Sequence, residues 1–119
     1  MRTAWPALRL ILLVDGLVFL AAALMNFGVH LLVFSFAAPI WQAGTGEAVI
    51  AAVLLAAAFS ARRGVAWTGF WLSALGIAFG LSSRAVVGAA RSIHLLLVPL
   101  AAVLLGLLLA SRGHKAGRA

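Results

Sequence analysis

Residues 65–82 read VAWTGFWLSALGIAFGLS, eighteen residues without a charge. As an α-helix such a stretch is about 27 Å long, close to the roughly 30 Å hydrocarbon core of a bilayer. Hydrocarbon offers no hydrogen bonds, so each backbone must satisfy its own, and a helix is the economical reading. Three more stretches are of this kind. One runs over about 8–27 and carries Arg9, Asp15 and Asn26. Another runs over about 45–61 with Glu47 near its start, and the last over about 92–110, uncharged after His94. The expected fold is an all-α integral membrane four-helix bundle, with 1–119 forming one membrane domain.

Composition points the same way. The 119 residues are 66% hydrophobic and 9% charged, and the mean hydropathy is +1.19. A soluble domain carries roughly 45–50% apolar and about 25% charged residues, and a disordered chain needs low hydrophobicity. Both classes are excluded. Nine basic residues against two acidic give +7 and a pI near 12.0, a balance that often signals nucleic acid. Here the basic residues are scattered through an apolar chain, so lipid is the expected partner and nucleic acid is not. The absence of cysteine rules out disulfides, thiolate metal sites and cysteine nucleophiles. No phosphate loop, Ser-His-Asp set or paired-carboxylate site stands in the sequence, and no enzyme is expected. Arginine outnumbers lysine eight to one and Ala, Gly and Val are abundant, which fits a high-GC bacterial genome and hence the bacterial inner membrane.

Orientation follows from the loops. With the N-terminus inside, Arg2, Arg9, Arg62, Arg63, Arg112, Lys115 and Arg118 face the cytoplasm, and only Arg84 and Arg91 lie outside. Cytoplasmic loops carry such an excess of Lys and Arg, so the bundle is expected N-in and C-in. Trp5, Trp41 and Trp67 then fall near helix ends, where an aromatic belt would place them. The start of the chain imitates a signal peptide, but Asp15 interrupts its apolar core and the apolar run continues past Ala21–Ala23. Residues 28–44, GVHLLVFSFAAPIWQAG, are apolar yet follow the first span too closely to be another. They are expected to cover the outer helix ends like a lid. The alternative is a first span shifted to about Gly16–Phe36. The tail with His114 is expected as a solvated end near anionic headgroups.

Small residues mark the packing faces. Gly69, Ser73, Gly76, Gly80 and Ser83 recur at intervals of 4, 3, 4 and 3 on one side of the third span, and small residues let helices approach closely in lipid. Ala48, Ala52 and Ala56, and Ala102, Gly106 and Ala110, have a similar pattern, while Trp67, Phe70 and Trp71 are expected on the opposite, lipid or partner side. The small face serves either bundle packing or a second subunit.

Polar residues inside spans are costly, a central Asp by about 2.5–3.5 kcal/mol. Asp15, about a third of the way into its span, shares a helix face with Ala22 and Asn26. It is the candidate intramembrane proton or partner site, unless it simply takes up a proton or pairs with an arginine. His30, Glu47, His94 and Asn26 all fall toward the outer side and form the candidate polar site, with Arg84 and Arg91 at the same level. Two His and a carboxylate suit a metal and two His suit haem iron, although no local motif such as HExxH joins them. Glu47, following Gly44 and Gly46, would otherwise serve only to stabilise a helix N-terminus.

The sequence LMNFGVHLLV at the end of the first span, a Pro-containing outer segment, GTGEAVIAAVLLAAA, an Arg pair, WLSALGIAFGLSS and a final span opening on His together resemble the DoxX-like group of small bacterial four-helix membrane proteins. The resemblance covers most of the chain. It implies a four-helix bundle, an accessory role in thiol or sulfur redox settings, and weight on Glu47 and His94. With no cysteine, direct thiol chemistry does not carry over. A second likeness, in length, span number and Asp15, is to small multidrug exporters, which bear Glu rather than Asp in the first span. Three functions are therefore expected, in this order. The first is a non-catalytic structural or accessory subunit of a larger membrane complex; beside the lipid bilayer, the expected partner is another membrane protein or a second copy of the chain. The second is an outer-face site for a quinone, lipid, metal or haem at His30, Glu47 and His94. The third is proton-coupled export through Asp15.

Overall fold

The computed structural model describes residues 5–29, 41–82 and 89–118. The described residues form four helices, α1 Trp5–Asn26, α2 Trp41–Ser60, α3 Arg63–Ser82 and α4 Ala89–Arg118. Each contains a segment long and apolar enough to cross a membrane, in α4 Arg91–Ser111. The architecture of the described residues is all-α.

Local signals explain most of the boundaries. Pro6 sits in the first turn of α1, where its missing N–H would have had no acceptor. The helix closes in a Schellman motif. Gly28 N–H donates to the Met25 carbonyl at 3.1 Å and Val29 N–H to the Leu24 carbonyl at 3.0 Å, with Gly28 at φ 90°. This stop rules out the alternative span through Phe36. α2 starts at Trp41, so residues 41–44 belong to a helix and not to the outer segment. The remainder of that segment, 30–40, lies outside the described residues. α4 continues as helix to Arg118 beyond its apolar part. The tail is therefore helical, and its Arg and Lys stand where the helix dipole favours cations. Pro99 lies inside α4, where it leaves the Leu95 carbonyl without its usual N–H donor.

The helices pack antiparallel in a ring: α1 on α2, α2 on α3, α3 on α4 and α4 back on α1, with the α1–α2 interface the most extensive. Buried positions recur at alternating intervals of three and four. They are Leu8, Leu12, Asp15, Phe19, Ala22 and Asn26 on α1; Gly44, Glu47, Ala51, Leu54 and Ala58 on α2; and Ala66, Phe70, Ser73, Ile77 and Gly80 on α3. Leu97, Leu104 and Leu108 extend the core along α4. A seam with this period keeps two helices in contact at a shallow crossing angle. The opposite faces expose Leu10, Leu17, Trp71, Leu75, Phe79, Leu95 and Val103.

The small residues of α3 point inward. A Cβ at Gly69 would stand 2.9 Å from Leu54 Cδ2, and one at Gly76 would stand 2.7 Å from Ile50 Cδ1. The expected faces of α2 and α4 are corrected. Ala52, Ala56, Ala102 and Ala110 are exposed, because the seam runs instead through Ala51, Leu54 and Ala58 on α2 and Leu97, Leu104 and Leu108 on α4. Phe70 is in the core, not on the outer side with Trp71.

α2 and α3 are joined by Ala61 and Arg62 alone, with Ala61 at φ 58°. An L-residue in the left-handed region costs roughly 1–2 kcal/mol. Ala61→Gly is expected to stabilise the bundle by about 0.5–1 kcal/mol, read as a higher Tm in detergent. An unchanged or lower Tm would show that the turn is not strained.

Candidate functional site

α1 ends where α2 begins, and three contacts lock the two together. The Asn26 Nδ2 amide donates to Glu47 Oε1. The Phe27 ring covers Gly44, where a Cβ would stand 2.9 Å from Cε1, and it lies 5.0 Å from the Trp41 ring, tilted by 57°. Asn26 is 5% exposed and Glu47 6%. Glu47 is the seventh residue of α2, and the first turn contains no acidic residue. Its carboxyl is therefore interior and does not cap the helix N-terminus. Glu47 Oε2 is buried without a hydrogen-bond partner among the described residues.

α4 brings His94, 6% exposed, to the same end of the bundle. Its neighbour Ile93 packs against Ala22 and Met25, one turn below Asn26. The His94 imidazole rests on the α3 backbone at Gly80, and a Cβ there would overlap the ring. Sequence reading took Gly80 for helix packing and missed this second role. Its spacing from Gly76 was visible, but its partner was not. Near this end Arg91 Nη1 donates to the Leu81 carbonyl at 3.4 Å.

The structure thus brings Asn26 and Glu47 into contact and places His94 at their end. His30 and Arg84 lie outside the described residues. Among the described residues no three His, Cys, Asp or Glu side chains are grouped to hold a metal.

Asp15 stands apart. It is the eleventh residue of the 22-residue α1, at mid-helix and not a third of the way in, because α1 starts at Trp5. It is fully buried, and neither carboxyl oxygen has a hydrogen-bond partner among the described residues. Arg9, the arginine nearest it in sequence, instead stacks its guanidinium 5.6 Å from the centroid of the Phe59 ring. The buried serines differ. Ser73 donates to the Phe70 carbonyl at 2.8 Å and Ser111 to the Leu108 carbonyl at 3.2 Å, so both are satisfied within their own helices.

Comparison with protein-family models, curated proteins and solved structures finds no match to this chain.

A buried carboxyl with no partner among the described residues adds no hydrogen bond there to the fold. Asp15→Asn keeps its shape and removes its charge. It is expected to unfold within about 1 kcal/mol of the parent or later. A loss of several kcal/mol in reversible detergent unfolding would show that a counter-charge holds Asp15 in place.

Proposed function

We propose that this chain is a multi-pass protein of the bacterial inner membrane, N-in and C-in, that binds a small polar ligand at its outer end. The observation that carries the reading is Glu47. One carboxyl oxygen is held by Asn26, and the other is buried and unpartnered among the described residues. A buried polar group left without a partner costs about 1–3 kcal/mol, so a ligand donor that completed it would be favoured. His94, held against Gly80 at the same end, is the second polar side chain that the reading assigns to the ligand. The ligand chemistry that suits a carboxyl and an imidazole is a quinone headgroup, a polar lipid headgroup or a metal ion. No step of covalent catalysis is implied.

The test is a ligand screen by thermal shift on purified protein, using a short-chain quinone, zinc and a polar lipid as probes. At least one should raise the Tm of the parent, while Glu47→Gln and Gly80→Val abolish the shift. A flat response to all three, or shifts that survive in Glu47→Gln, would sink the reading.

A second reading, an accessory subunit of a membrane complex, draws on α4. Only 22% of its apolar segment is buried, against 44% in α1, and Leu95, Leu96, Val98, Val103 and Leu109 are exposed along it. A partner helix would cover this face. Extraction in mild detergent should then recover a defined co-migrating protein that is lost on Val103→Trp. A lone chain or homodimer would count against this role.

A further inference from the structure

We propose that the crevice between α2 and α3 at the arginine-bearing end of the bundle binds an anionic phospholipid through its phosphate. The proposal rests on the membrane placement above, but not on the Glu47 site, which lies at the other end.

The crevice is lined by Val53, Arg62, Arg63, Gly64, Val65 and Thr68. The two-residue connection between α2 and α3 places both arginines at the turn. Arg62 precedes α3 where a capping Ser, Thr, Asp or Asn would otherwise stand, and the first turn of α3 contains no acidic residue. The first helical hydrogen bond runs from Ala66 N–H to the Arg62 carbonyl at 3.0 Å. The amides of Arg63, Gly64 and Val65 come before it and have no acceptor within the helix. Nothing lies within 4 Å of where a Cβ would stand at Gly64, so the backbone there is open to an approaching anion.

The side chains add an observation that does not depend on the helix end. Arg63 is half-buried, and its Nε is fully buried without a hydrogen-bond partner among the described residues. That edge of the guanidinium has lost its water and gained no acceptor. Arginine recognises phosphate through such edges. Further along the helices from the turn the chemistry changes. Val53 and Val65 are apolar, and the Thr68 hydroxyl is already satisfied by the Gly64 carbonyl at 2.9 Å. Cationic beside the turn and apolar further along the helices is the profile that suits a phosphate carried on an acyl chain. A free phosphate would engage only the arginine end.

The experiment is lipid binding by native mass spectrometry of the purified protein in neutral detergent. The probes are phosphatidylglycerol, phosphatidylcholine and inorganic phosphate. Phosphatidylglycerol should be retained over phosphatidylcholine. Arg62→Gln and Arg63→Gln should each weaken it roughly fivefold. Gly64→Val, which fills the open space without changing charge, should weaken it as well. Arg112→Gln with Lys115→Gln removes two charges from the tail and should leave binding unchanged. Equal losses in the tail variant would reduce the effect to diffuse attraction and overturn the site. Competition by inorganic phosphate as effective as that by the lipid would overturn the lipid assignment. A protein that stays soluble without detergent would overturn the membrane placement itself, whereas a detergent-dependent protein with no lipid preference overturns only the crevice.

Discussion

α1 and α2 approach so closely that a methyl group at Gly16 would collide with Leu55, and the other packing relations are built on that approach. Leu54, one position earlier, is shared between two helices. Its Cβ borders Gly16 on α1, while its Cδ2 fills the space above Gly69 on α3. Ile50, one turn away, fills the space above Gly76 beside Phe19. The bulk of α2 is thus received by glycines on both sides. In lipid, helices gain little from apolar burial against each other, so close backbone contact is the main source of association. The same register sets Asn26 opposite Glu47, because the antiparallel pair that matches Gly16 with Leu55 brings the end of α1 to the start of α2.

The two carboxyls show how differently one interior can treat the same group. Glu47 has an amide donor supplied by the neighbouring helix. Asp15, about 16 Å further along α1, is enclosed with nothing to answer either oxygen among the described residues. Phe19 and Ala22 occupy the intervening turns of the same seam. The bundle therefore separates a hydrogen-bonded polar end from an isolated mid-helix acid by an apolar layer.

Much of the fold was legible in the sequence, because span length and the lack of charge are strong signals for helices in hydrocarbon. The helix ends were less so. Residues 41–44 contain Gln42 and Gly44, which lower the apparent hydropathy without stopping a helix. On α3 the glycines are distinctive and Gly69 and Gly80 are buried, but Phe70 was placed on the wrong side; on α2 and α4, where alanines occur on every side, the faces were misread. For the site, the residue types Asn26, Glu47 and His94 stood out because polar groups are rare in such a chain. Their pairing was not visible, since Asn26 and Glu47 are 21 positions apart and only the register of α1 on α2 joins them. The dipole reading of Glu47 failed because its helix starts six residues earlier.

The Ala61–Arg62 turn has a consequence for how such a chain would be made. A connection this short leaves α2 and α3 no independent existence, so they would enter a bilayer as one hairpin. Its tip bears Arg62 and Arg63, the pair most costly to carry across hydrocarbon. On the proposed membrane placement, the hairpin would keep its tip on the side from which it entered. The direction of α2 and α3 would then be set by the tip, and α4 would fill the remaining gap in the ring.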